Sequence, residues 1–319
     1  MASIVPVFVP HAGCPCRCVF CNQRTIAGQS ARMTPDRARD ILTQALSVLP
    51  DGSAPQAAFY GGSFTAIPVE DQEALLAVTD AFLAQGRLSA VRLSTRPDAI
   101  DEAILDRLRR HGVATIELGA QSMDDEVLRL SQRGHTAADT VRASRLIRQA
   151  GISLILQTMA GLPGDTRETV RQTAERVAAL EPDGVRIYPV AVLPDTGLHE
   201  LWQAGSYTPL DNETAAVWCA DMLEVFQRAD IPVIRIGLNP TEELDRTVEA
   251  GAYHPALGEL AWNELWYRRL HAQLEAQPDG TLYVPARALS RAIGQNRRNV
   301  RRLERDFPGR DIRIKAQKT

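Results

Sequence analysis

The chain has 319 residues, of which 45% are hydrophobic and 24% are charged, and its formal net charge is −3. This composition is ordinary for a globular protein, and the length suffices for one large α/β barrel with a small appended unit. The sequence has no apolar run of membrane-spanning length, and its start lacks the basic residues and long apolar stretch of a signal peptide. We therefore expect a cytoplasmic protein that does not contact membranes.

Short β-type apolar runs alternate with amphipathic helical patterns along most of the chain. A first strand, Ile4 to Val9, precedes a helix with Thr34 as N-cap and Pro35 at its first position. The later strands are predicted at 57–60, 91–94, 115–118, 153–159, 185–189 and 233–236, and the later helices at 70–83, 99–110, 137–150, 167–180 and 213–228. This alternation predicts an α/β fold with a parallel sheet, a partial (β/α)6 TIM-like barrel. In such barrels, functional residues gather in the loops after the strands.

The loop after the first strand contains four of the five cysteines, in the sequence HAGCPCRCVFCN. Cys14, Cys18 and Cys21 have the spacing C-x3-C-x2-C, so their thiolates can bind three corners of an iron–sulfur cube. The fourth iron would then be open to a small molecule with an amine and a carboxylate. A structural zinc site is the alternative, but zinc usually takes paired ligands, and Cys219 lies about two hundred residues away. Cys16 is an extra thiol, either inert or a redox group near the cluster.

This cysteine loop resembles the signature of the radical S-adenosylmethionine (SAM) enzymes. The resemblance implies that a [4Fe-4S] cluster on Cys14, Cys18 and Cys21 binds SAM at the open iron, and that the reduced cluster cleaves SAM to a 5′-deoxyadenosyl radical. It also implies a cellular reductant such as flavodoxin or ferredoxin. The cofactor would then carry out the radical chemistry, while the protein supplies binding and orientation.

The loops after the other strands add further motifs in a fixed order. They are YGGSF from Tyr60, STRPD from Ser94, ELGAQS from Glu117, RGHT from Arg133 and GLPG from Gly161. Over Pro6 to Pro194 this ordered set resembles the radical SAM domain of the elongator catalytic subunit, which modifies wobble uridine in tRNA. It is more loosely similar to the oxygen-independent coproporphyrinogen oxidases.

The resemblance also implies which residues contact SAM. The Gly61-Gly62 turn matches a GGE-type turn that holds the SAM amino group through backbone atoms, with Ser63 in place of the acid. Gln121 and Arg133 match SAM-contacting positions, and Arg133 would pair with the methionyl carboxylate. The complete set of candidate cofactor-binding residues is Tyr60, Gly61, Gly62, Ser63, Ser94, Glu117, Gln121, Arg133, Gln157 and Gly161.

Several of these polar residues have a structural alternative. Glu117 is an acid within an apolar strand, so a salt bridge to a barrel arginine competes with SAM binding. His135 is a catalytic candidate together with Cys16, but it could instead cap the helix that starts near Thr136. Cys219 resembles the cysteine that some radical SAM methylases methylate, yet it lies in the pattern of a buried helix face, which favours core packing.

The C-terminal stretch from Pro285 to Thr319 contains eleven Arg or Lys against three acids, which gives it about +8 and the remainder about −11. A strand at 282–284, a helix at 286–293, a second helix at 299–307 and a strand at 311–315 are predicted. With the sequence GQNR between the helices, this order resembles the minimal KH module, whose GxxG loop clamps single-stranded nucleotides. The implied RNA contacts are Gly294, Gln295, Asn296, Arg297, Arg298, Arg301 and Arg302. The alternative is a basic helical hairpin that packs on the acidic barrel or keeps the chain end soluble.

The sequence therefore predicts a radical SAM barrel at 1–245, a connecting helical segment at 246–279 and a KH-like domain at 280–319. We expect a radical SAM enzyme that modifies a nucleotide of tRNA or ribosomal RNA. No acetyl-CoA loop follows the barrel, so acetyl-CoA is not expected as a second substrate. The rival hypotheses are a radical SAM enzyme for a small molecule or tetrapyrrole, and a non-catalytic RNA-binding protein with a structural metal.

Overall fold

Seven parallel strands form the main sheet, which curls into a half-barrel, and their order across the sheet follows their order along the chain. The structure is a computed structural model that describes residues 3–9, 14, 18–22, 32–50, 52–277 and 279–317. The sheet strands are β1 (Ile4–Phe8), β2 (Gln56–Tyr60), β3 (Ala90–Thr95), β4 (Val113–Gln121), β5 (Ser153–Ala160), β6 (Gly184–Pro189) and β8 (Val233–Ile236). The predicted partial α/β barrel is confirmed.

Helices cross between the strands and cover the outer face of the sheet. Those of the barrel are α1 (Pro35–Ser47), α2 (Val69–Ala84), α3 (Glu102–Arg110), α4 (Asp125–Leu130), α5 (Ala137–Gln149), α6 (Arg167–Ala178), α7 (Gly197–Gln203), α8 (Asn212–Arg228) and α9 (Glu242–Thr247). A short antiparallel pair joins β7 (Ala191–Val192) to β9 (Ala250–Gly251). This pairing connects the segment after the barrel to the loop after β6.

Side-chain caps fix where several helices begin. The Thr34 side chain accepts a hydrogen bond from the Arg37 backbone, as the sequence predicts for the start of α1. The predicted helix at 99–110 begins later than expected, because Pro97–Ala99 forms a separate 3-10 turn and Asp101 caps α3. Thr136 and Asp139 form a capping box that starts α5. The structural alternative for His135 is therefore wrong, since its neighbour caps this helix.

A small C-terminal unit has its own core. After α10 (Leu257–Ala276), strands β10 (Thr281–Val284) and β11 (Arg313–Ala316) pair in parallel, and α11 (Leu289–Ile293) and α12 (Arg298–Asp306) connect them. The first half of α10 packs in the main core through Ala261 and Leu265, whereas its second half joins the core of the small unit. The predicted β-α-α-β order is present, while its assignment as KH-like stays a prediction.

Within the described ranges, no helix is long and apolar enough to cross a membrane.

Candidate active site

A cavity of about 620 Å³ opens at the carboxyl ends of the barrel strands. Its walls include the ends of β1, β2 and β3, the second half of β4, and parts of β5, β6 and β8. Nine of the ten candidate cofactor-binding residues line it, together with the three motif cysteines. They are Tyr60, Gly61, Gly62, Ser63, Ser94, Glu117, Gln121, Arg133, Gln157, Cys14, Cys18 and Cys21. The parallel topology thus brings residues from distant motifs to one place.

The described part of the cysteine loop is tied to the barrel by backbone hydrogen bonds. The Val19 amide donates to the Ser131 carbonyl at 3.1 Å, and the Val19 carbonyl accepts from Leu198 at 2.7 Å. The Cys21 amide donates to the Cys18 carbonyl, which places two of the thiols on one tight turn. Cys16, one of the two catalytic candidates, lies outside the described residues.

Two buried guanidinium groups lie against these thiols. Nη1 of Arg133 is 3.4 Å from Sγ of Cys18, and Nη1 of Arg96 is 3.8 Å from Sγ of Cys14. Within the described ranges, Arg133 has no carboxylate partner although its side chain is only 8% exposed. An unpaired buried cation is costly, so an anion beside it would be strongly favoured.

The donor set fits a thiolate-bound cluster and an amino-acid cofactor. Three thiols are soft ligands for iron, although the described His, Cys, Asp and Glu side chains form no group of three already arranged to hold a metal ion. The buried atoms at the cavity that have no hydrogen-bond partner in the described protein include Oε1 of Gln121 and Nε of Arg133. Such atoms are the acceptor and donor that a polar ligand would satisfy.

The Gly-Gly turn after β2 presents its backbone to the same cavity. Gly61 has φ +93°, a conformation that favours glycine, and Ser94 Oγ donates to the Gly62 carbonyl at 3.4 Å. The Val9 amide donates to the Tyr60 carbonyl at 2.6 Å, which holds the turn next to the start of the cysteine loop. The backbone of this turn is therefore fixed before any ligand binds.

Gly119 on β4 leaves the space in which two of the candidate SAM contacts meet. An added Cβ would lie 2.8 Å from Nη2 of Arg133 and 3.0 Å from Nε2 of Gln121. Arg133 also donates to the Gly119 carbonyl at 2.8 Å. A side chain at this position would therefore push both groups away.

We expect Gly119→Ala to weaken SAM binding by about 10- to 100-fold, the cost of losing one charge-assisted hydrogen bond. Titration calorimetry on anaerobically reconstituted protein measures this. Gly258→Ala is the matched control, because its added Cβ would make only ordinary contacts at 3.6 Å with Ile236. Equal SAM affinity of Gly119→Ala and wild type would exclude the assigned roles of Arg133 and Gln121.

Glu117 is 1% exposed, and both of its oxygens already have partners. Tyr60 donates to Oε1 at 2.6 Å and Gln157 to Oε2 at 2.9 Å. Arg92 and Arg186 form ion pairs with the same carboxylate at 3.4 and 2.9 Å. The salt-bridge alternative is thus what the structure contains, and Glu117 acts on the cavity through the groups that it holds.

His135 does not line the cavity, because its ring lies behind β4 with Nε2 donating to the Ala120 carbonyl at 3.2 Å. Burial and then the charge of Arg133 lower the pKa of His135 from 6.5 to about 4. The imidazole is therefore neutral at physiological pH, and this position gives no support to a direct catalytic role. Since the folded state disfavours the protonated ring, stability is lost as the pH falls below about 6.5.

His135→Gln should remove this pH dependence. Between about pH 7 and about pH 5, the wild type should lose about 2 kcal/mol more unfolding free energy than the variant does. Urea unfolding at the two pH values measures the difference. If wild type and variant lose the same amount, His135 is not buried in its neutral form.

Gly161 is the one candidate cofactor-binding residue that does not line the cavity. Its amide donates to Asp165 at 3.1 Å and its carbonyl accepts from Tyr207 at 2.6 Å, so internal bonds take up its backbone groups. Burial raises the pKa of Asp165 to about 6, against the lowering effect of these amide bonds. The GLPG segment therefore shapes the loop after β5, and its predicted direct contact is not seen.

Several cavity residues were not singled out by the sequence reasoning. Arg96 follows β3 within the STRPD motif, so its position at a strand end could have indicated it. Arg186 interrupts the apolar pattern of β6 as Glu117 interrupts that of β4, which is the same signal. Further polar cavity residues, Arg235, Asn239, Thr241 and Glu243, come from β8 and the segment after it.

A second cavity, of about 370 Å³, lies in the basic C-terminal unit. It is lined by Leu260, Gln295, Asn296, Arg298, Arg301, Arg302 and Arg305, so five of the seven predicted RNA contacts meet there, with Arg305 in addition. Gly294 and Arg297 do not line it. Gly294 is buried, with φ +77° and Asn299 3.2 Å from the position of an added Cβ.

The arginines of this basic cavity differ in their partners. Arg298 is paired with Glu213 on α8, and Arg302 with Glu264 on α10 at 2.7 Å, which connects α12 to the helices it packs on. Arg305 pairs with its neighbour Asp306 at 3.3 Å. Among the described residues, Arg301 makes no ion pair and it is exposed. The alternative of a basic hairpin packed on acids therefore describes Arg298 and Arg302 but not Arg301 and Arg305.

Comparison with known protein families agrees with the interpretation of the cavity at the strand ends as a site for a cluster and SAM. The family model described as the radical SAM superfamily matches residues 8–177, more than half of the chain. The chain belongs to the radical SAM superfamily. A model described as the radical SAM C-terminal domain matches residues 182–267. Membership implies SAM and an iron–sulfur cluster as cofactors.

Similar proteins include tRNA-modifying ones, so the predicted elongator-type resemblance of this radical SAM protein is confirmed. A tRNA uridine(34) acetyltransferase of Dehalococcoides mccartyi is 29% identical over 260 residues, 70% of this chain and 56% of that protein. Human Elongator complex protein 3 is 33% identical over 127 residues, 38% of this chain and 23% of that protein. The solved archaeal Elp3 of Methanocaldococcus infernus, with an N-terminal deletion, has a TM-score of 0.64 at 22% identity, over 85% of this chain and 63% of that one. The radical SAM chain thus spans between about a quarter and just over half of these curated relatives.

Proposed function

We propose that this protein is a radical SAM enzyme that modifies a nucleotide of tRNA or ribosomal RNA. The observation that carries the proposal is the single cavity lined by the three motif cysteines, the Gly61-Gly62 turn, Gln121 and Arg133. These groups come from four separate motifs of the chain, and their convergence is what binding of a cluster and SAM together requires.

Cys14, Cys18 and Cys21 are the proposed ligands of a [4Fe-4S] cluster. When bound and reduced by a flavodoxin- or ferredoxin-type donor, the cluster with SAM supplies a 5′-deoxyadenosyl radical. The chain's own part is to hold three thiolates, and the guanidinium groups of Arg96 and Arg133 stabilise their negative charge.

The proposed SAM site lies beside these thiols. Backbone atoms of Gly61 and Gly62 bind the amino group, and Arg133 pairs with the methionyl carboxylate through its planar fork. Gln121, Ser94 and Gln157 offer hydrogen bonds to the remaining polar groups of the cofactor. Phe8, Phe20 and Met159 on the cavity wall exclude water from the reacting centre.

The proposed RNA contact is the basic cavity of the C-terminal unit. Two similarities favour RNA: the relatives named as tRNA uridine(34) acetyltransferases and the order of the C-terminal elements. Guanidinium groups in a concave pocket bind phosphate well, and the target nucleotide would be splayed out of the RNA to enter the barrel. In this proposal the barrel comprises residues 1–245, the connecting segment comprises residues 246–279, and the RNA-binding unit comprises residues 280–319. The proposed RNA substrate is the reason to propose a cytoplasmic location.

Comparison of nucleosides from total tRNA and ribosomal RNA tests the proposed substrate. RNA from a strain that lacks the gene should lack one modified nucleoside, and expression of the wild type should restore it whereas Cys18→Ala should not. Liquid chromatography with mass spectrometry detects the nucleoside and gives the mass of the added group. Identical nucleoside profiles in both strains would argue against an RNA substrate.

A further inference from the structure

Arg96 is the largest fully buried side chain of the described protein, with 2% of its surface exposed. It follows β3 directly, and the 3-10 turn Pro97–Ala99 begins with the next residue. Burial of a guanidinium requires anionic or polar partners, because the free energy of desolvating an unpaired charge is large. The groups that contact the Arg96 guanidinium therefore indicate the role of this residue.

The guanidinium of Arg96 is shared between a carboxylate and a thiol. Nε and Nη2 donate to the two oxygens of Asp98 at 2.9 and 2.7 Å, which fixes the plane of the group. Nη1 is then directed at Sγ of Cys14, 3.8 Å away. Burial tends to raise the pKa of Asp98, but its bonds to Arg96 outweigh this and lower it, so this pair stays charged.

In the part of the chain that the structure describes, the side chains that contact the two motif thiols are cationic. Arg96 and Arg133 contribute two buried cations, while Asp98 is the one carboxylate paired with either of them among the described residues. Among the described groups beside these thiols, two cations therefore accompany one carboxylate. Thiolates that bind iron would supply the compensating negative charge.

We infer that Arg96, held in place by Asp98, raises the reduction potential of the iron–sulfur cluster through its contact with Cys14. The inference rests on the proposed function. Reduction adds one electron to the cluster from a one-electron donor, with no bond broken and no proton required, so the centre becomes more negative by one unit. A fixed cation beside a ligand thiolate stabilises that reduced state more than the oxidised state, since hydrogen bonds to sulfur and net charge set cluster potentials.

Arg96 is a positioning residue in this account, and it eases the electron transfer that precedes SAM cleavage. It does so through the thiolate, without contact to the substrate. Asp98 has two opposed effects: its geometry aims the guanidinium at Cys14, and its charge partly cancels that of Arg96. Removing only the charge of Asp98 should therefore raise the potential, whereas removing the charge of Arg96 should lower it.

An EPR-monitored redox titration of the anaerobically reconstituted full chain, without SAM, tests the inference. Arg96→Gln should lower the midpoint potential by about 59 mV or more, a tenfold change in the one-electron equilibrium. Arg96→Lys keeps the charge and should stay close to the wild type. Asp98→Asn should give a potential above that of the wild type.

The opposite directions of the two expected shifts in midpoint potential distinguish an electrostatic role of Arg96 from a purely structural one. An Arg96→Gln potential at or above the wild-type value, or an Asp98→Asn potential at or below it, overturns the inference. If Arg96→Gln does not fold, as iron content and circular dichroism would reveal, Arg96→Lys and Asp98→Asn decide alone. A wild type that shows no cluster signal would defeat the proposed function as well, whereas a wild-type cluster with unmoved variants would defeat this inference only.

Discussion

Cys18→Ala is expected to reduce the iron content from about four atoms per chain to a small fraction of that value and to abolish SAM cleavage. Cys18 is 5% exposed, lines the cavity and contacts Arg133, so its thiolate lies where a cluster ligand is needed. The loss removes one of three ligands and leaves Arg133 without its sulfur partner. Iron analysis and quantification of 5′-deoxyadenosine measure both effects.

Cys219→Ala is the matched control for this prediction. Cys219 is fully buried on α8 and does not line the cavity, and burial raises the pKa of its thiol well above the ordinary value. The substitution should cost about 1 kcal/mol of stability and leave iron content unchanged. An iron–sulfur cluster of normal content and activity in Cys18→Ala would contradict the assigned ligand set.

The double charge reversal Arg301→Glu/Arg305→Glu is expected to weaken RNA binding by about 10- to 100-fold. These two arginines line the basic cavity, and the ion pairs that join α12 to α8 and α10 are made by Arg298 and Arg302, so the double variant leaves those pairs intact. Loss of two phosphate contacts should reduce the slope of log K against log salt by about 1.4 for single-stranded RNA. Fluorescence anisotropy with labelled RNA at several salt concentrations gives both quantities.

Arg109→Glu/Arg228→Glu provides the same change in net charge on helices outside the basic cavity. Both side chains are largely exposed, at 58% and 76%, and their ion pairs lie within single helices. This control should lower RNA affinity far less than the Arg301/Arg305 variant. Equal losses in the two variants would mean that only overall charge matters, and the basic cavity would have no specific role.

The barrel was predictable from sequence because each strand and helix has a clear local pattern. The buried runs of β2 to β6 are short and bounded by turns, and parallel neighbours follow from the intervening helices. The predicted start of α3 was too early. Asp101 is the residue that caps this helix, but residues closer to Pro97 are also possible N-caps in the sequence. Short helices such as α4 and α7 were also missed, since fewer than two turns give little periodicity.

The site was partly predictable for a similar reason. Residues directly after strands must meet at one edge of a parallel sheet, and this rule placed Gly61, Gln121 and the cysteines together. The partners of Glu117 could not be chosen from sequence, because Arg92 and Arg186 are equally plausible and only the sheet register brings both to it. The division of the C-terminal arginines between Glu213, Glu264 and solvent depends on how α12 packs, which no local pattern encodes.

One anaerobic assay tests both the radical SAM chemistry and the RNA substrate. The reconstituted protein, with dithionite and SAM, is assayed for 5′-deoxyadenosine with and without RNA from a strain that lacks the gene. We predict that this RNA strongly stimulates 5′-deoxyadenosine formation and that one of its nucleosides changes in mass. Formation that is independent of RNA would contradict the RNA substrate, and no formation from protein with an intact cluster would contradict the enzyme assignment itself.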